Sequence, residues 1–157
     1  MKLLNGKELA DRIKDEVKAE VEKMNEKPYL AVIQVGDNAA SSTYVKNKQN
    51  ACKYCGIKSE TFKLGEGTSE KGLINLIDML NKDNMVHGIL VQLPLPEHID
   101  EHKVIQSITP EKDVDGFHEI NVGKLMIGKD TFVPCTTKGI IELLKENNIK
   151  IIENKEL

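Results

Sequence analysis

The sequence predicts an α/β domain: a mainly parallel sheet flanked by helices on both faces, an α-β-α sandwich. Three observations predict it. Residues 29–35 and 86–93 are short, nearly unbroken apolar runs, the pattern of strands covered on both sides. Segments of helical period separate the extended runs, so the elements alternate as β-α-β-α-β-α. Each apolar run closes on residues that break a ladder, Gly36-Asp37-Asn38 after the first and Pro94-Leu95-Pro96 after the second.

Each element has its own local warrant. Asn5 with Glu8 three residues on is a capping pair for a first helix, in which Leu9, Ile13, Val17 and Val21 recur every four residues before Lys27-Pro28 stops it. Ser41 or Ser42 caps a second helix, and Gly56 suits the left-handed position after its end. At ~100° per residue, Tyr44, Lys48, Ala51 and Cys55 share an inward arc. Lys46 and Lys53 fall opposite, where a solvated face wants them. Residues 57–64 are β-branched and aromatic enough for a strand, and Gly65-Glu66-Gly67 is a turn. Thr68 or Ser69 caps a helix carrying Leu73, Ile74, Leu76, Ile77 and Leu80. Helix signals continue over 99–108 until Pro110. The stretch 111–134 is loop-rich, and Thr136 or Thr137 then caps a helix over 139–145. Residues 149–152 begin something strand-like, as if a further α/β unit were to follow.

Bulk properties exclude several classes. The 157 residues are 39% hydrophobic and 30% charged, the composition of a soluble globular chain able to bury a sizeable core. A net charge of -3 gives no electrostatic reason to expect nucleic acid or an anionic membrane as partner. No apolar run approaches the ~20 residues of a membrane span. The first residues carry no secretory apolar region, and three cysteines, an odd number, fit reduced thiols, so a cytoplasmic location is expected.

Lys48 is the misplaced charge, a cation in the middle of an apolar stripe. Such a lysine ordinarily lays its stem on the core and its ammonium in water. Gln92 is the second oddity, an amide closing an apolar strand, where its donor and acceptor both need partners. A Gln92 carbonyl facing the Lys48 ammonium answers both puzzles. Ligands of open α/β sheets collect beyond the carboxyl ends of the strands, where the 36–44 segment, Gln92 and the Asp113/Asp115 loop should meet. Asp115-Gly116 is, by default, an Asp-Gly turn. Cys52 and Cys55 match C-x-x-C but end their helix, where the dipole disfavours a thiolate, and as a zinc half-site they lack a second pair. His98 and His102 fit H-x-x-E-H, with no clear third metal ligand downstream. No G-x-G-x-x-G or G-x-x-x-x-G-K-[ST] occurs, so nothing cradles a dinucleotide.

Together these residues resemble the bifunctional methylenetetrahydrofolate dehydrogenase/methenyltetrahydrofolate cyclohydrolase family. Val35-Gly36-Asp37 with Ser42, Tyr44 and Lys48 is similar to its folate-site helix, and Gly88-Ile89-Leu90-Val91-Gln92-Leu93-Pro94-Leu95-Pro96 to its most recognisable signature. Pro110-Glu111-Lys112-Asp113-Val114-Asp115-Gly116-Phe117 and Pro134-Cys135-Thr136 resemble two further motifs, in the family order. Thr137 departs from it, standing where the family usually carries proline, a change that bears on the start of that helix or on the cleft.

The resemblance implies roles. Lys48 would be the catalytic lysine beside the one-carbon unit, with Gln92 holding and tuning it. Tyr44 would stack on the benzoyl ring, Asp115 would bond the pterin, and Val91 and Leu93 would complete the tetrahydrofolate site. The implied activity is NADP-dependent oxidation of 5,10-methylenetetrahydrofolate followed by hydrolysis to 10-formyltetrahydrofolate, a one-carbon supply for purine, histidine and methionine biosynthesis. The resemblance also implies a division: residues 1–134 as the folate-binding catalytic domain, and 135–157 as a linker helix and the start of an NADP-binding Rossmann domain otherwise absent from this chain. NADP is thus expected only in the parent enzyme, with no cofactor-binding residue and no metal here, and with no dehydrogenase activity from this stretch alone. Loss of packing partners should bare an apolar patch, so self-association, or a homodimer, is expected. The competing classes are a folate-binding module without turnover and a zinc hydrolase using His98 and His102.

Overall fold

The computed structural model describes residues 4–149 and shows one three-stranded parallel sheet with helices on both faces. Helix α1 (Gly6–Lys23) starts at the expected pair: Glu8 N donates to Asn5 Oδ1 and Asn5 Nδ2 returns a bond to Glu8 Oε2. It ends at Lys23, four residues before the Lys27-Pro28 stop. Lys27 still finishes it from outside, its ammonium donating to the carbonyls of Val21 and Met24 at 2.6 and 2.9 Å.

Strand β1 (Tyr29–Val35) is central, between β2 (Lys58–Leu64) and β3 (Gly88–Val91). Its place explains its composition, since every side chain but one is buried. The edge strand β2 alternates instead, with Lys58, Glu60 and Lys63 exposed. Strand β3 is shorter than the apolar run 86–93. His87 N on Tyr29 O and Gln92 N on Ile33 O nevertheless continue the ladder at both ends. Its free edge is covered by the 109–115 loop, where Ile89 N donates to Lys112 O and Ile89 bridges Asp113.

Alternation along β1 sets the two layers. Ala31, Ile33 and Val35 face α3 (Glu70–Lys82), where Leu73, Ile77 and Leu80 are buried, together with Val104 of α4 (Glu101–Gln106). Val32 faces the other way, onto Val45 of α2 (Ala39–Cys55) and Leu90 of β3. Ser69 caps α3, accepting from Gly72 N. Asp100 caps α4, which is shorter than the 99–108 stretch of helix signals, its side chain accepting from His102 N and Lys103 N.

Three local expectations are corrected. Helix α2 begins at Ala39, so Ser41 and Ser42 lie inside it, and Asn38 Oδ1 accepts from Ser41 N at its start. The 111–134 stretch contains a helix, α5 (Glu119–Met126), capped by His118, whose Nδ1 accepts from Ile120 N. Its pattern hid it: Ile120, Val122, Leu125 and Met126 are exposed, the one buried residue is the polar Asn121, and Gly123 sits inside. The last helix, α6 (Cys135–Glu146), starts at Cys135 after Pro134, without a side-chain cap, so neither Thr136 nor Thr137 plays that part. The strand expected over 149–152 lies almost wholly outside the described residues.

Candidate functional site

The site lies beyond the carboxyl ends of β1 and β3. Lys48 comes from α2 and Gln92 from the first position after β3, and Lys48 Nζ donates to Gln92 Oε1 at 3.3 Å. The other end of the amide is also engaged, Gln92 Nε2 donating to Leu93 O at 2.7 Å. Both side chains are half-buried. An amide held at both ends presents a fixed, uncharged acceptor to the amine, which keeps the ammonium out of a carboxylate pair.

The inward face of α2 differs from the expected arc. Tyr44 is 63% exposed, while Ser41, Val45, Cys52 and Cys55 are buried. The buried stripe is rotated by roughly 50° from the predicted one, which puts Lys48 inside it and Tyr44 at its rim. The pattern favoured the aromatic ring, but Val45 is the residue that reaches Val32 and Leu90. Tyr44 is thereby left one turn from Lys48 with its ring free to meet solvent or a ligand.

Asp115 lies within electrostatic reach of Lys48. Burial pushes its carboxyl above the usual range; the Lys48 charge opposes this, and the neighbouring Asp113 carboxylate adds to it. Val91, Leu93, Asp113, Asp115 and Phe117 line one narrow cavity between β3 and the 113–117 loop. Val91 itself is packed into the core, 6% exposed. All six sequence-predicted residues therefore fall at one end of the sheet: Lys48, Gln92 and Asp115 as a polar group, Val91 and Leu93 beside it, Tyr44 at the rim.

Two groups carried no expected role. Cys135, at the start of α6, feels the same charges: burial pushes its thiol up, as does the Asp115 carboxylate, and Lys48 and Lys138 pull it back. Its position in the Pro134-Cys135 junction was the only signal. Gln34 is 1% exposed within β1, its Nε2 donating to Ser42 Oγ at 2.9 Å and Gly36 O at 3.2 Å, which ties the strand end to the first turn of α2. A glutamine in an otherwise apolar strand was the available sign.

The histidines do not converge. His98 Nε2 lies 2.9 Å from Thr68 O and His102 Nε2 2.9 Å from Glu119 Oε1, so the two rings serve separate contacts. Among the described residues no group of three or more His, Cys, Asp or Glu side chains is arranged to hold a metal ion.

Residues 4–115 match the family described as tetrahydrofolate dehydrogenase/cyclohydrolase, catalytic domain. The chain belongs to this family. It is 53% identical over 152 residues to the bifunctional protein FolD of Oceanobacillus iheyensis, covering 95% of this chain and 53% of that protein. Identity to the FolD of Acetivibrio thermocellus is 58% over 153 residues, covering 96% and 54%. The fold is similar to the crystal structure of the bifunctional FolD methylenetetrahydrofolate dehydrogenase/cyclohydrolase from Campylobacter jejuni, with a TM-score of 0.91 at 50% identity over 95% of this chain and 54% of that one. It is also similar to the Trypanosoma brucei enzyme complexed with NADP cofactor and inhibitor, with a TM-score of 0.88 at 34% identity over 93% and 52%. The chain thus spans about half the length of the curated relatives it matches.

Proposed function

We propose that this chain is the folate-binding, lysine-bearing domain of a methylenetetrahydrofolate dehydrogenase/methenyltetrahydrofolate cyclohydrolase. The observation that carries the proposal is the Lys48 amine held on the Gln92 carbonyl beside a desolvated Asp115. In the hydrolytic step, water forms a bond to the methenyl carbon as the carbon–N5 bond breaks. Lys48, as the neutral amine, would accept the proton that the attacking water loses, and N5 takes up a proton to give 10-formyltetrahydrofolate. Gln92 orients the amine, Asp115 accepts from the amino-pyrimidinone edge of the pterin, and Tyr44 stacks on the benzoyl ring. Val91 and Leu93 contribute the apolar wall. The division at residue 134 and a cytoplasmic location belong to the same proposal.

The family's NADP finds no fitting site among the described residues. The turn after β1 holds a single glycine, and Asp37 and Glu66 line the cleft beside it, where a pyrophosphate would meet like charge. No hydride-transfer step is therefore derived for these residues, and the 157-residue chain is expected to leave methylenetetrahydrofolate unoxidised in NADP.

The test is Lys48→Met in the 157-residue chain, followed by the decay of methenyltetrahydrofolate absorbance and by tetrahydrofolate binding. The expected result is a loss of about 10²–10⁴-fold in hydrolysis with binding retained. Binding without turnover in the unaltered chain would support the folate-binding module instead, and absence of both would overturn the proposal.

A further inference from the structure

Asp113 is a buried carboxylate that the proposed chemistry does not use. It is 2% exposed, and among the described residues no lysine or arginine is a hydrogen-bond partner of it. Such burial is costly unless hydrogen bonds replace water. Three donors do so: Gly116 N at 3.1 Å on Oδ1, and His118 N at 2.8 Å with Asn121 Nδ2 at 2.9 Å on Oδ2. Gly116 N also donates to the Asp113 carbonyl. The carboxylate thus closes the chain on itself around Asp115, which lies between Asp113 and Gly116.

The closure is anchored outward. Asn121, 2% exposed, also donates to Pro110 O and accepts from Thr131 Oγ1, joining α5, the start of the loop and the 129–134 segment. On the other side, Lys112 donates to the carbonyls of Leu80, Asn81 and Asp83 at the end of α3. Asp113 also lines the narrow cavity it shares with Asp115, Val91 and Leu93.

We propose that Asp113 is a positioning residue for the site: through Gly116, His118 and Asn121 it fixes the loop that presents Asp115 toward Lys48. It also acts through its charge. Asp115 faces Lys48 from α2, Asp113 from its own loop and Cys135 from α6. Burial is what chiefly makes Asp115 hard to ionise; the Lys48 ammonium opposes this, and the Asp113 carboxylate adds the smaller push. Asp113 therefore keeps Asp115 both in place and harder to ionise. A purely architectural carboxylate would alter stability and nothing else.

This inference rests on the folate reading only for its ligand arm. The experiment compares the 157-residue chain with Asp113→Asn and Asn121→Ser. It follows the Asp115 carboxyl by carbon-detected NMR titration and tetrahydrofolate binding by calorimetry. For Asp113→Asn the Asp115 midpoint should move to lower pH and affinity should fall roughly tenfold, the scale of one charge-assisted hydrogen bond. Asn121→Ser keeps the carboxylate and loses the tether, so affinity should fall while the midpoint stays nearer that of the unaltered chain. Unchanged affinity with unshifted Asp115-loop resonances in folded Asp113→Asn overturns the proposal. If Asp113→Asn does not fold, unchanged affinity in Asn121→Ser overturns it and reduced affinity supports it. Should the unaltered chain fail to bind tetrahydrofolate, the folate reading fails, while the ligand-free Asp115 loop shifts in Asp113→Asn and Asn121→Ser still decide the role of Asp113.

Discussion

Gly116 turns the loop that carries Asp115, and replacing it tests how rigidly that loop is held. Its φ is +71°, and an added Cβ would stand 2.7 Å from the Phe132 carbonyl oxygen, 3.2 Å from its carbon and 3.3 Å from Pro134 N. All three are backbone atoms, so no side chain can swing aside. Gly128 supplies the control, with φ +69° and nothing within 4 Å of its added Cβ. Alanine at either site meets the left-handed penalty of about 1–2 kcal/mol. Gly116→Ala must also displace the segment leading into α6, an overpacking cost of about 1–3 kcal/mol. The expected losses are therefore about 1–2 kcal/mol for Gly128→Ala and about 2–5 kcal/mol for Gly116→Ala. Urea unfolding of both proteins, compared by linear extrapolation with unchanged slopes, measures the difference. Tetrahydrofolate affinity should fall for Gly116→Ala alone, since only there is Asp115 moved. Losses equal to within about 0.5 kcal/mol, or unaltered binding, would refute the close backbone approach and its link to the site.

Asp115→Asn should raise the melting temperature at pH 7. A carboxyl raised in the folded state favours folding most when protonated, so its contribution is complete below the ordinary value of 3.8 and is lost as pH rises through the raised value. The gain from asparagine should accordingly vanish in melts below that pH, and a lower melting temperature for the variant at pH 7 contradicts the assignment. Gln34→Leu removes two donated bonds, but also a buried Oε1 that accepts no hydrogen bond among the described residues. The two effects oppose, so stability should change by less than about 1 kcal/mol, and a loss above about 2 kcal/mol by urea unfolding sinks this. Ile77→Ala, at a fully buried position between α3 and the sheet, should cost about 2–5 kcal/mol in the same assay. The exposed Ile120, Met126, Ile127 and Ile140 favour self-association; sedimentation across a wide dilution series should show it, and a monomer throughout would exclude it.

What the sequence made legible is local or periodic. Asn5 with Glu8, Ser69 before α3 and the apolar run of β1 each depend on neighbours within a few residues, and each is found in the structure. The Lys48–Gln92 contact spans 44 positions yet was still legible, because each residue violated its own element's pattern in a complementary way, a cation in a buried stripe and an amide closing a buried strand. Helix α5 was hidden because its apolar residues do not face the described core, so no stripe marks it. Asp113 was harder still. In sequence, Asp113-Val114-Asp115-Gly116 is a turn with two equivalent acids, and nothing local says which is buried. The distinction arises only when Asn121 and His118 fold back to supply donors to one of them. The carboxylate that accepts three bonds becomes framework, and its neighbour two residues on, desolvated and with no such donors among the described residues, is left with open acceptor positions. At Asp113 the broken rule is answered, and the answer holds the loop that lines the narrow cavity, whereas at Gln34 it is answered on the amide nitrogen, which ties β1 to α2. Where the answer is incomplete, at the desolvated Asp115, the donors of a ligand are the expected complement.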